Sequence, residues 1–159
     1  MDLDHVLDFT LSGVRPGEAA EVTALIHSAG LPVEDLTPAK LRHFILMRRG
    51  EAIVGAVGLE LAGPDALLRS LVVAEAYRHR RVAKRLVAAV ERYARSLGAT
   101  RLFLLTQTAE GFFQAQGYTP ASRADAPPGL QETAEFRNIC PASAACLSKT
   151  LDTKESADD

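Results

Sequence analysis

Between Leu68 and Leu86 the chain reads LRSLVVAEAYRHRRVAKRL, an apolar run that passes through a short cation-rich loop into an amphipathic stretch. A helix that opens this way has first-turn backbone N–H groups without intrahelical partners, and these carry partial positive charge. Both features favour a phosphate at that point. Arg78, His79, Arg80, Arg81 and Lys84 surround it with side-chain cations. Acidic residues are the ones that normally suit a helix start, so this run opposes the helix dipole. An anionic ligand, a diphosphate in particular, would resolve that opposition. The alternative reading is a solvated basic face.

The other chemistry-bearing residues are dispersed. His5, His27 and His43 fall on unrelated elements, and no H-x-x-x-H or C-x-x-C spacing occurs, so no zinc site is expected. Cys140 and Cys146 lie close together towards the C-terminus. The opening MDLDHVLDFTLSGVRPG has no positively charged segment followed by an apolar core, so it does not read as a signal peptide. The cysteines are therefore expected reduced, in a cytoplasmic protein. No apolar run reaches about 18 residues, so no membrane span is expected. A formal net charge of -2 argues against a nucleic-acid partner, which would need many phosphate-neutralising cations. The 159 residues, 47% hydrophobic and 24% charged, suit one globular domain. That domain is expected over residues 1–151, with 152–159 (DTKESADD) as a polar tail.

Elements must hold the cationic loop in place, and the patterning supplies them. FTLSGV (9–14) alternates as a strand, and 17–28 carries a helical apolar stripe closed by Gly30. Two prolines make 31–39 a loop. Residues 44–47 and 52–61 read as a hairpin around Arg48-Arg49-Gly50-Glu51. Residues 67–73 form a further strand, and 82–97 the clearest helix, with Leu86, Val90, Ala94 and Leu97 on one stripe and Gly98 after it. RLFLLT (101–106) reads as a strand buried on both sides, 108–116 as a helix ending at Gly117, and 118–122 as a last strand. Residues 124–129 are proline-rich and irregular. The strand–helix–strand order after residue 67 implies a parallel pair with a right-handed crossover. The fold class is α/β.

The segment 71–83 resembles the central motif of the GNAT superfamily of N-acetyltransferases, in which a strand precedes Arg or Gln, two variable residues, Gly, one more residue, and Gly or Ala. Arg78 and Ala83 fit that motif; Arg81 stands where the family has glycine. The loop could be kept with arginine there if the residue holds a negative φ. LFLLTQTAEGFFQAQGY (102–118) resembles the family's next strand and short aromatic helix, and it is similar to the acetyltransferase domain of bacterial N-acetylglutamate synthases. LLRSLVV, LLTQTAEGFFQAQGY, TAEF and CPASAAC together resemble a small GNAT subgroup known for arsenic resistance.

The resemblance implies a mixed, mostly antiparallel sheet with a splayed parallel strand pair and helices on both faces. It implies acetyl-CoA as cosubstrate, with Leu71, Val72 and Val73 along the pantetheine arm. Arg78, His79, Arg80, Arg81, Val82, Ala83 and Lys84 would then lie at the diphosphate. The acceptor would be the amine of a small molecule, with an amino acid or an arsenic-containing analogue among the candidates. Glutamate-type N-acetylation and a non-catalytic acetyl-CoA or metalloid-binding module are the alternatives. A homodimer is common in the family.

Acetyl transfer needs a neutral amine, a polarised carbonyl and a proton for the leaving thiolate. Glu60 is the first candidate base. Many relatives use a tyrosine as acid where this chain has Phe113, and a phenyl ring cannot donate a proton. Tyr118, Ser70 and Thr106 are the remaining hydroxyls. Arg69 is a candidate for holding a substrate carboxylate, or else a surface ion pair. Cys140 and Cys146 are candidate thiolate ligands for a soft metalloid, or else two small packed residues.

Overall fold

A computed structural model describes residues 9–151 apart from His79, Arg80 and Ala142. His5 and the expected tail at 152–159 lie outside the described residues. The strands are β1 (Phe9–Ser12), β2 (Phe44–Arg49), β3 (Ala52–Ala62), β4 (Asp65–Val73), β5 (Arg101–Thr106), β6 (Thr119–Pro120) and β7 (Ala145–Thr150). The helices are α1 (Ala19–Ser28), α2 (Pro38–Leu41), α3 (Val82–Ser96), α4 (Glu110–Ala115) and α5 (Pro128–Gln131). The sheet order is β1-β2-β3-β4-β5-β7-β6. β4 and β5 are parallel, while β1 with β2, β2 with β3, β5 with β7 and β6 with β7 are antiparallel.

By packing, the chain forms two compact units. One comprises the chain up to Leu59 with Ser70–Val90; the other comprises Glu60–Arg69 with the chain from Glu91 onward.

In the first unit, Val22 and Ile26 of α1 and Leu41 of α2 pack with Leu46, Ala56 and Val72 of the strands. Ala56 faces α1, so its neighbour Gly55 faces the other side of β3. A Cβ at Gly55 would lie 2.9 Å from a Leu86 methyl and 3.2 Å from one of Val82, so α3 packs closely there. Helices therefore cover both faces of β3. Leu86, Val90 and Ala94 are fully buried as the helical stripe requires, but Leu97 is 42% exposed, past the end of α3.

Gly58 pairs across β2–β3 with Phe44, whose ring lies directly over it. A Cβ there would stand inside the ring's van der Waals surface, and Phe44 is buried. Gly58→Ala is expected to destabilise by about 2–3 kcal/mol, an overpacking cost. Chemical denaturation of the variant against native protein measures it, and shrinking the neighbour with Phe44→Leu should recover part of the loss.

A buried ion pair ties β2 to the segment before α1. Arg48 is 1% exposed and follows a break in the β2–β3 register that aims its side chain. Its Nη1 and Nη2 donate to Glu18 Oε2 and Oε1 at 2.7 and 2.8 Å, its Nε to Ser12 Oγ at 2.7 Å, and Nη2 also to Gly13 O at 2.9 Å.

In the second unit, Leu67, Phe103, Ala126, Leu130, Phe136 and Cys146 form the core. The connection between β6 and β7 is more ordered than its sequence suggests. It carries a 3-10 turn (Arg123–Asp125), α5 and a π-helical turn (Glu135–Ile139). Backbone carbonyls left over by such irregular structure need donors. Arg123 supplies them, reaching the carbonyls of Pro141, Cys140, Phe136 and Glu135 at 2.8–3.4 Å. Gln131 Nε2 reaches those of Arg123, Ala124 and Ala126. β7 was not foreseen, and it pairs with β5 from Arg101↔Thr150 to Thr106↔Ala145.

Candidate active site

The expected cofactor segment lies within the first unit. β4 pairs with β5 from Asp65↔Arg101 to Leu67↔Phe103, and β4 runs on to Val73. Leu71 is half-buried, and Val72 and Val73 are buried. Ser70, within this strand, has a φ of 60°, a left-handed conformation that interrupts an extended run. A short 3-10 turn (Glu75–Tyr77) then leads to Arg78, whose Nε donates to Val73 O at 3.1 Å. At least that donor of Arg78 braces the loop against the strand it leaves. His79 and Arg80 lie outside the described residues.

Arg81 corrects the expectation of a negative φ: it sits at +62°. The loop keeps the backbone shape that glycine adopts without cost, and arginine holds it instead. α3 begins at the next residue, and Arg85 N donates to Arg81 O at 3.1 Å in its first turn. The first turn contains no acidic residue, and Arg81 and Lys84 are exposed around it. N–H groups of a first turn have no partner inside the helix, so Val82, Ala83 and Lys84 present theirs at this end. A left-handed non-glycine residue costs about 1–2 kcal/mol. Glycine relieves that cost but loses more freedom on folding. Arg81→Gly is therefore expected to raise the unfolding free energy of the cofactor-free protein by about 0.5–1 kcal/mol, read by thermal denaturation.

The second unit holds Glu60 and Arg69. They meet directly, Arg69 Nη1 lying 2.5 Å from Glu60 Oε2. On its other side Arg69 Nε lies 3.3 Å from Glu135 Oε2. The Arg69 side chain is fully buried, Glu135 is 5% exposed and Glu60 14%. Arg69, by its sequence a candidate carboxylate receptor or surface ion pair, is a buried cation paired with carboxylates of its own chain, and Glu60 is turned inward to it. Glu135 was missed. It lies on the π-helical turn, and nothing in the sequence pairs it with Arg69.

Thr106 and Tyr118 make their side-chain bonds elsewhere. Thr106 Oγ1 accepts from Ala109 N at 3.0 Å, closing the turn before α4. Tyr118 is 1% exposed, and its hydroxyl donates to Glu91 Oε2 at 2.9 Å. Glu91 also takes Lys149 Nζ at 3.0 Å, and Lys149 reaches Gln116 O at 2.9 Å. Burial first, and then the Glu91 charge, push the Tyr118 phenol far above its ordinary value. A role for Tyr118 as proton donor would therefore draw on a hydroxyl held in the core by Glu91.

Cys140 and Cys146 are free cysteines, the first half-buried and the second buried. Burial and then the Glu135 carboxylate, to which it is hydrogen-bonded, push the Cys140 thiol up to about 12. Burial pushes Cys146 up as well. Among the described residues no group of three His, Cys, Asp or Glu side chains is arranged to hold a metal ion. Cys146 packs in the second core, as a small apolar residue would. Among the described residues no helix is long and apolar enough to cross a membrane. An apolar groove of about 560 Å³ beside α1, lined by residues such as Ala20, Ala24, His27 and Leu36, contains none of the expected site residues.

The profile of the acetyltransferase (GNAT) family matches residues 15–118, which takes in the whole of β4, the cation-rich loop and α3. The chain belongs to the GNAT acetyltransferase family. Solved structures agree on the fold. N-acetylglutamate synthase from Neisseria gonorrhoeae, complexed with coenzyme A and N-acetyl-glutamate, superposes with a TM-score of 0.80 at 18% identity over 91% of this chain. This GNAT chain spans only 35% of that synthase chain. A Mycobacterium tuberculosis protein in complex with CoA matches with a TM-score of 0.76 at 16% identity, over 90% of this chain and 99% of its own. A GNAT-family acetyltransferase from Staphylococcus aureus matches with a TM-score of 0.69 at 17% identity, over 91% and 99%. No curated protein matches the sequence significantly.

Proposed function

We propose that this GNAT protein transfers the acetyl group of acetyl-CoA to the amine of a small molecule. The observation that carries the reading is Arg81 at +62°, opening α3 in an acid-free turn. A chain does not hold arginine in a glycine conformation at a cationic helix start for stability; a diphosphate gives a reason. In this reading the backbone of Leu71–Val73 meets the pantetheine arm. The Val82–Lys84 N–H groups, with Arg78, His79, Arg80 and Arg81, meet the diphosphate. Glu60 serves as base, directly or through water, and Ser70 and Thr106 remain as hydroxyls for the departing thiolate.

Coenzyme A bound in the Neisseria and Mycobacterium structures supports the cofactor. The synthase likeness also supports an amino acid as acceptor, the second reading. An arsenic-containing amino-acid analogue is a further acceptor to be tried, resting on the subgroup resemblance alone. The setting proposed is cytoplasmic, and a homodimer is proposed on family grounds.

The test is release of free CoA thiol from acetyl-CoA across a panel of amines, each α-amino acid tried beside its amide. Amine-dependent release is expected. Bound cofactor with no release on any amine would favour a non-catalytic binding module.

A further inference from the structure

The cluster around Arg69 has a direction. Its three side chains are buried to different degrees: Glu135 at 5%, Arg69 at 0% and Glu60 at 14%. A ligand arriving at this cluster cannot touch Arg69, whose side chain exposes nothing. Of the three, the Glu60 carboxylate is the most open. Behind it, Arg69 Nη1 holds Glu60, and Arg69 Nε is steadied by Glu135. Glu135 is set by a π-helical turn, closed by Cys140 N to Glu135 O at 3.3 Å. Such turns are rare and recur at functional sites. Glu135 also lies beyond residue 118, where the match to the family profile ends.

We infer that Glu135 is a positioning residue that acts through Arg69 on Glu60, and that the acceptor is met there by a carboxylate, as an ammonium, and not by a guanidinium as a carboxylate. This rests on the proposed acetyl transfer and names its acceptor class: amines without a carboxylate beside the reacting nitrogen. A carboxylate-bearing acceptor at Arg69 would have to compete with Glu60 and Glu135 for a buried guanidinium, at the cost of disturbing a buried ion pair. Burying two carboxylates against one guanidinium is a costly way to pin a loop, since apolar residues of similar volume do that at least as well. A carboxylate aimed by a buried guanidinium has a use that apolar packing cannot supply.

The experiment has a variant-free arm and a variant arm. In the first, native protein with acetyl-CoA is given L-arginine, L-argininamide and agmatine, with L-methionine and L-methioninamide as an uncharged-side-chain pair. The carboxylate-free member of each set is expected to show at least a tenfold higher kcat/KM. A preference for the acids would overturn the inference. In the second arm, Glu135→Gln is expected to lower kcat/KM on the best of these amines at least tenfold. Acetyl-CoA affinity by calorimetry should stay within twofold, and Glu135→Asp should recover part of the loss. Unchanged kcat/KM in Glu135→Gln, or a loss that merely tracks its melting temperature, would leave Glu135 a structural pin. Failure of native protein to bind acetyl-CoA, or bound acetyl-CoA without turnover of any of these amines, would remove the transferase reading and this inference together.

Discussion

Reversing the charge at the start of α3, with Arg81→Glu and Lys84→Glu together, is expected to weaken acetyl-CoA binding by at least 100-fold. Each change removes a cation beside a helix N-terminus and puts an anion in its place, so a diphosphate loses two attractions and gains two repulsions. At roughly 1.4 kcal/mol per tenfold, 100-fold requires about 2.7 kcal/mol, a modest demand on two charge-assisted contacts. The same substitutions suit the helix better when no ligand is present, because acidic residues complement its dipole. The cofactor-free variant should therefore melt no lower than native protein. Lost binding with retained stability is the signature of a ligand site, and lost stability with it would indicate a structural role for the cations.

The second large effect belongs to the Arg48–Glu18 pair. Glu18→Ala is expected to cost roughly 3 kcal/mol, since it leaves the buried guanidinium without its charge partner. Hydrogen bonds from Arg48 first, then the Arg15 backbone N–H, pull the Glu18 carboxyl from 4.5 down to about 2. A folded-state value below the unfolded one stabilises the fold above the unfolded value. The Glu18 contribution is therefore complete above about pH 4.5 and is lost as pH falls towards 2. Denaturation midpoints across pH 2–6 should fall with acid in native protein, and part of that slope should vanish in Glu18→Gln. An identical slope in the variant would assign the acid sensitivity to other carboxylates.

What could be read from residues alone follows from how local each signal is. The β4–loop–α3 segment was legible because its pattern is contiguous: an apolar run, a cation cluster and a helical stripe within one stretch. The positive φ of Arg81 was not, since glycine is the usual marker of that conformation and arginine conceals it. β7 is hard to read in ACLSKT, a short segment with little apolar alternation that follows an irregular stretch. Its place between β5 and β6 is a long-range pairing that local pattern does not encode. The Glu60–Arg69–Glu135 cluster shows the same limit. Glu60 and Arg69 face each other across adjoining strands, but Glu135 arrives from an irregular segment far along the chain. Tyr118 shows the converse, a polar residue whose partner, Glu91, lies on the buried side of a helix that reads as charged.

The proposed activity depends on this GNAT chain holding acetyl-CoA through the α3 N-terminus. Calorimetric titration of the native protein with acetyl-CoA, and separately with CoA, tests it most directly. One-to-one binding in the micromolar range is the predicted result. No heat of binding at millimolar cofactor would contradict it, and would mean that arginine in the glycine position has closed the site.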